Sequence, residues 1–179
     1  YAPHIRTELN HIFLDLEVDP EQKGLSGVMR ADLKVRAQEV DQLKFDQGNL
    51  EIQSVSVDGK SLKFEIGEEQ LWVSLPQAKK RGEKIQVEVT YRVVNSGRGI
   101  YFTGPDSDYP KKDYQVWTQG QDEDAHYWFP TFYYPNQKTT IETKVSVPPS
   151  YQAIANGGLV SSREEKGRKI FHYRLSSPI

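Results

Sequence analysis

Apolar and polar residues alternate with period two almost from the start of the chain. Ile12, Leu14, Leu16 and Val18 fall on one face of an extended backbone, and His11, Phe13, Asp15, Glu17 and Asp19 on the other, which is the pattern of a half-buried strand. Pro20 to Gly24 supplies a turn. Met29, Ala31, Leu33, Val35 and Ala37 then repeat the pattern against Arg30, Asp32, Lys34 and Arg36, so the two runs read as a hairpin. Leu43 and Phe45 predict a further strand, and Asn49 to Val57 another. Val57-Asp58-Gly59-Lys60 is a strong tight-turn signal, because Asp-Gly accepts the positive φ angles of a type I′ turn, and Leu62, Phe64 and Ile66 continue beyond it. Leu71, Val73 and Leu75, then Ile85, Val87, Val89 and Tyr91, predict two more, separated by the charged loop Lys79-Lys80-Arg81-Gly82-Glu83. Thr139 to Val147, Ala153 to Val160 and Lys169 to Leu175 complete a count of about ten short strands or more. Turn signals recur about every 8–12 residues, and no segment sustains helical spacing. The predicted fold class is therefore all-β, an antiparallel β-sandwich or a saddle of curved sheets, as a single β domain over residues 1–179. Asn95 to Pro135 breaks the alternation and is rich in Gly, Pro, Asp, Tyr and Trp; long irregular stretches of this kind are usually functional or interface-forming.

Composition narrows the function. Lys and Arg number 23 against 25 Asp and Glu, a net charge of -2, so the basic excess of a nucleic-acid or anionic-membrane binder is missing. There is no cysteine, which excludes disulfide frameworks, thiolate zinc sites, iron–sulfur clusters and cysteine nucleophiles. No apolar run approaches the ~20 residues of a membrane helix. Tyr1 to Asn10 has no signal-peptide apolar stretch and both ends read as cuts; the compartment is left unknown by the sequence, with the cytoplasm favoured.

The four histidines, His4, His11, His126 and His172, stand singly, without the spacing that puts two metal ligands on one helical face. No phosphate-cradling loop or nucleophile elbow occurs, and Gly157-Gly158 reads as a strand-end turn. Asp122, Glu123 and Asp124 cluster beside Gln119, Gln121 and His126. A carboxylate pair is what a glycosidase uses, but consecutive acids usually point apart, so a solvated loop face or helix-start acids is preferred, with a ligand-facing role as the alternative. Tyr127, Trp128, Phe129, Phe132, Tyr133 and Tyr134 form a dense aromatic block suited to stacking a sugar or capping a pocket, and more often to core or interface packing. Physics alone yields a β domain with one unusual loop and no reaction.

The stretch from Thr118 to Lys138 resembles the signature of the aminopeptidase N and leukotriene hydrolase family of zinc metallopeptidases. That signature reads Thr-Gln, a spacer, Glu or Gln, later Phe-Pro-x-Phe, then Pro and Lys. Here it is Thr118-Gln119-Gly120-Gln121, then Phe129-Pro130-Thr131-Phe132, Pro135 and Lys138, without a gap. His11 to Val18 followed by Leu25-Ser26-Gly27, the Gly99-Ile100-Tyr101 segment and Ala155-Asn156-Gly157 agree in order, so the resemblance spans nearly the whole chain.

The resemblance implies the amino-terminal β domain of such an enzyme, a saddle leaning on a thermolysin-like catalytic domain that is absent here. The His-Glu-x-x-His and Gly-x-Met-Glu-Asn motifs of that domain do not occur, and the only methionine, Met29, sits in a predicted strand. Zinc is thus implied for the parent and for no residue of this chain. The implied partners are the catalytic domain of the same chain and a peptide held by its free amino terminus. By position, Gln119 matches the residue lining the pocket for the substrate's first side chain. Gln121 matches the Glu or Gln that holds the substrate amine, with Gln as in the leukotriene hydrolase branch. His126, Thr131, Tyr133 and Tyr134 stand where the family commonly has Arg, Cys, Asp and Glu, which bears on the ion pairs that brace the loop. The implied function is removal of amino-terminal residues from peptides, with this domain contributing to the amine pocket. The competing reading is a non-catalytic scaffold or protein-binding domain from an inactive relative.

Overall fold

The computed structural model describes residues 5–48, 50–94, 97–132 and 136–179. His4, Asn49, Asn95, Tyr133, Tyr134 and Pro135 lie outside the described residues. The first two amphipathic runs become β1 (Thr7–Asp19) and β2 (Gly24–Val35), paired antiparallel as the alternation predicts, with Leu14 opposite Met29 and Val18 opposite Leu25. A bulge between Leu9 and His11 resets the parity of β1. Thr7 and Leu9 before it, and Ile12, Leu14, Leu16 and Val18 after it, are therefore all buried, because one extra residue moves every later side chain to the other face.

The remaining strands are β3 (Glu39–Asp46), β4 (Leu50–Val57), β5 (Lys60–Leu62), β6 (Phe64–Ile66), β7 (Gln70–Lys80), β8 (Lys84–Val93), β9 (Ile100–Thr103), β10 (Gln115–Thr118), β11 (Thr140–Val147), β12 (Gly158–Glu165) and β13 (Arg168–Leu175). Asp58 and Gly59 take φ of 49° and 77°, as the Asp-Gly turn between β4 and β5 requires. The main sheet runs β12-β13-β11-β1-β2-β8-β4-β5; β3-β7-β6 form a second sheet, and β9-β10 a separate ribbon. Among the described residues, pairing is antiparallel with one departure: β11 runs parallel to β1, setting Leu14 opposite Thr143 and Leu16 opposite Val145. A parallel neighbour needs a long crossover, and here the whole intervening chain serves as one.

The predicted strand from Ala153 to Val160 is displaced. Gly157 has φ 95°, which ends extended backbone on its amino side, and a Cβ there would lie 2.1 Å from the Arg174 carbonyl oxygen. Residues 151–155 are coil, Ile154 is 90% exposed, and β12 starts only at Gly158. The Gly157-Gly158 pair, expected as a strand-end turn, instead follows coil and leads into β12, whose first residue is Gly158.

Buried residues of β1, β2, β4 and β8 form one cluster with Val40, Leu43, Phe45, Leu71 and Val73 of the small sheet. Each such side chain contributes roughly 1.5–3 kcal/mol by leaving water. Tyr91 of β8 is fully buried in this core, and among the described residues its hydroxyl has no hydrogen-bond partner. Burial alone pushes its phenol pKa up, out of any accessible range. Because an unpaired buried hydroxyl costs about 1–3 kcal/mol, Tyr91→Phe is expected to raise stability by about 1 kcal/mol. Urea midpoints of the two proteins measure it, and a clear loss of stability in the variant would contradict the unpaired assignment.

The outer face of β1, β11 and β13 is polar. The Glu142 carboxylate, 10% exposed, accepts from His172 Nε2 at 2.5 Å, from Arg174 Nε at 2.8 Å and from Arg174 Nη2 at 2.6 Å. Burial acts to raise its pKa, but the hydrogen bonds and charges of Arg174 and His172 together hold it below the ordinary carboxylate value. A carboxylate depressed on folding stabilises the fold above its unfolded pKa, and that contribution disappears as pH falls through the folded one.

Candidate functional site

β9 and β10 lie inside the stretch without alternation. Tyr101 pairs opposite Trp117, and their rings stack at 4.1 Å and 14°. Each strand has four residues, too short for a period-two pattern to stand out, so the aromatic cross-strand pair was the available signal.

Beyond Thr118 the chain turns out of this ribbon. Gln119 N–H donates to the Gly99 carbonyl at 2.9 Å, Asp124 N–H donates to the Gly120 carbonyl at 3.1 Å, and a 3₁₀ turn follows at Asp124–Tyr127. The Gln121–Asp122 peptide is cis. Gln119, Gly120 and Gln121 are thus brought together in one exposed turn between β10 and the 3₁₀ segment.

Three distant segments hold that turn. Gly99, at φ 72°, lets its backbone approach so closely that a Cβ would lie 2.2 Å from the Asp124 carbonyl oxygen. Gly48 faces the Tyr127 ring, where a Cβ would meet Cδ1 at 2.3 Å, and its N–H donates to the His126 carbonyl at 2.8 Å. Arg98 Nε donates to Asp124 Oδ1 at 2.8 Å, Arg98 Nη1 to the Tyr127 hydroxyl at 2.5 Å, and that hydroxyl donates to Glu69 Oε1 at 2.6 Å. Burial, reinforced by the Glu69 hydrogen bond, holds the Tyr127 phenol above its ordinary pKa.

The described aromatics behave as packing residues. Tyr127 and Phe129 are buried, Phe132 stacks on Phe45 at 4.6 Å, and Trp128 meets Phe129 edge-on at 4.4 Å. Tyr133 and Tyr134 lie outside the described residues. Asp124 is a helix-start acid paired with Arg98, while Asp122 and Glu123 are exposed. The loop is therefore braced by the Arg98–Asp124 pair although His126 and Thr131 depart from the family pattern. His126 is buried beside Tyr127, and Thr131 exchanges backbone hydrogen bonds with Asp46 at 2.8 and 3.0 Å. Gln137, late in the motif, uses its side-chain amide on β1: its oxygen accepts from Leu9 N–H at 2.6 Å, and its nitrogen donates to the Thr7 carbonyl at 3.1 Å. Arg98, Glu69 and Gly48 carried no signal in the sequence, because their partners are far away along the chain.

An apolar cavity of about 570 Å³ lies between the inner face of β1 and β11 and the β9-β10 ribbon, lined by Leu16, Val145, Ile100, Trp117, Trp128 and Ile154 among others. Thr118 and Gly120 reach it; Gln119 and Gln121 do not line it.

The family model described as the Peptidase M1 N-terminal domain matches residues 7–179. The chain belongs to that family. Among curated proteins, this M1 N-terminal domain is similar to human aminopeptidase B (Homo sapiens), 28% identical over 196 residues covering 96% of the chain and 30% of that protein. It is also similar to leucine aminopeptidase 2 of Yarrowia lipolytica, 27% identical over 91% of the chain and 25% of that protein. Leukotriene A-4 hydrolase of Xenopus laevis is 22% identical over 100% of the chain and 31% of that protein. The chain thus spans under a third of these relatives. Its fold matches the M1 zinc metallopeptidase of Deinococcus radiodurans, with TM-score 0.83 and 18% identity over 99% of the chain and 41% of the other. It also matches yeast LTA4 hydrolase in complex with bestatin, with TM-score 0.82 and 20% identity over 99% of the chain and 28% of the other. Among the described residues no group of three or more His, Cys, Asp or Glu is arranged to hold a metal ion, so the zinc named for these neighbours does not fit on the described part of this domain.

Proposed function

We propose that the parent protein is a zinc-dependent aminopeptidase, and that this M1 N-terminal domain supplies part of the pocket receiving the substrate's free amino group. Gln121 accepts a hydrogen bond from the substrate ammonium through its side-chain carbonyl oxygen, and Gln119 borders the first side chain. The metal and the bond-breaking step belong to the rest of the parent. What this domain does is position: an exopeptidase selects the first peptide bond by fixing the terminal amine, and the distance from amine to scissile carbonyl then sets where that carbonyl falls. A carboxamide suits the task because it accepts from an ammonium without itself titrating.

The observation that carries this reading is the exposed Gln119-Gly120-Gln121 turn, presented at the end of β10 and tied to the scaffold at Gly99 and Asp124. Sites of this kind work when a rigid framework holds the loop. The names of the relatives point the same way, and one solved M1 zinc metallopeptidase from Deinococcus radiodurans is described with Tyr-Ser-Ala as its substrate. The test is an assay of the full-length protein on leucine p-nitroanilide and on its N-acetylated counterpart. Turnover is expected only with the free amine. Equal rates on both would remove the amine-recognition role.

A further inference from the structure

We propose that Arg98 is a positioning residue for the amine-recognising turn, a proposal that rests on the role just given to Gln121. The turn is tied down at two points, Gln119 N–H to the Gly99 carbonyl and Asp124 N–H to the Gly120 carbonyl. Arg98 joins both: it precedes Gly99 in the chain, and its guanidinium grips the Asp124 carboxylate at 2.8 Å. The same guanidinium lies 4.2 Å over the Tyr127 ring and donates to the Tyr127 hydroxyl. Because arginine can only donate, that hydroxyl turns its own proton to Glu69, which lies just before β7 in the second sheet. One chain of hydrogen bonds therefore runs from the small sheet through Tyr127 and Arg98 to the residue closing the turn.

A stability role explains Arg98 poorly. Its side chain is 59% exposed, and an ion pair that open to solvent adds little to folding. What the bonds do fix is geometry, since Asp124 cannot move relative to Gly99 without breaking the Arg98 contacts. An amine anchor displaced by a fraction of an ångström is costly to turnover even where the fold is intact.

The experiment uses the full-length protein and compares wild type, Arg98→Ala, Arg98→Lys, Gln121→Ala and the Arg98→Ala/Gln121→Ala double variant. The readout is the ratio of inhibition constants for 4-methylpentanoate and leucine, which share a carbon skeleton and differ in the amine, with the thermal midpoint as a control. Arg98→Ala is expected to lower the preference for leucine about tenfold, with inhibition by 4-methylpentanoate and the midpoint little changed, and Arg98→Lys is expected to recover part of the loss. In the Gln121→Ala background Arg98→Ala should add nothing, because the two act through one contact. If Gln121→Ala abolishes the preference while Arg98→Ala leaves it intact, or if the two losses multiply, Arg98 does not position the turn. If Gln121→Ala leaves the preference unchanged, the amine reading itself fails and this proposal falls with it. Should Arg98→Ala not fold, Asp124→Asn, which keeps the shape and removes the charge, is read by the same criteria.

Discussion

Replacing Gln121 by alanine in the full-length protein is expected to lower kcat/KM for peptides with a free amino terminus by about tenfold to a hundredfold. A hydrogen bond with a charged partner is worth about 1.5–3 kcal/mol when the partner would otherwise be left unpaired, and ~1.4 kcal/mol corresponds to one decade in rate. Zinc content, measured in parallel, should not change, since among the described residues of this domain no three His, Cys, Asp or Glu are grouped to hold a metal ion. Gln121→Glu separates charge from geometry. It keeps the acceptor and adds a negative charge facing an ammonium, so it is expected to match or exceed the wild type on amide substrates. Like-charge repulsion from a second carboxylate at the amine would cancel part of that gain by raising one carboxylate's pKa. A Gln121→Ala enzyme within about twofold of wild type on every aminoacyl substrate, where the bond should be worth a decade or more, would mean that the amine is held elsewhere.

Gly99→Ala is expected to be strongly destabilising, costing about 2–5 kcal/mol. Two penalties add at this position. The backbone lies at φ 72°, where an L side chain is strained, and the new methyl would stand 2.2 Å from the Asp124 carbonyl oxygen and 3.0 Å from Tyr127 Cβ. Neither neighbour is the flexible end of a side chain, so the backbone has to move. Gly59→Ala is the control: it too has positive φ, at 77°, but nothing lies within 4 Å of its added Cβ. It should therefore cost only the strain, about 1–2 kcal/mol. Chemical denaturation of the three proteins orders them, and equal losses at Gly59 and Gly99 would show that crowding at Asp124 plays no part.

The sequence was most informative where strands are long. Twelve residues of β2 and ten of β8 give several cycles of alternation each, enough to place Met29, Leu33, Val87 and Val89 in the core. It was uninformative where the decisive contact is non-local. The parallel register of β1 on β11 brings together residues such as Asp15 and Lys144, which meet at 2.9 Å from 129 positions apart, and nothing near either one announces the other. The displacement of β12 turned on the positive φ of Gly157, which outweighed the apolar run Ala153, Ile154 and Ala155. The site divides along the same line. Gln119 and Gln121, the proposed contacts, stand in a contiguous motif that the sequence displays, whereas Arg98, Glu69 and Gly48 reach the loop from separate turns and have no pattern of their own.

The parallel ladder also governs when the domain is able to fold. β1 sits in the middle of the main sheet, yet its partner on one side is β11, the contacts between them spanning 129 residues. Closing a loop of that size carries an entropic penalty of about 4 kcal/mol before any contact forms, and topologies rich in such contacts fold slowly. On a ribosome adding roughly 5–20 residues per second, β1 emerges on the order of ten seconds before β11. Throughout that interval the β1–β2 hairpin carries an unsatisfied row of backbone donors and acceptors along the side meant for β11, a template open to any extended chain nearby. The ordering of strands in the finished sheet thus leaves the newborn chain open to intermolecular pairing at a strand that ends up paired on both sides.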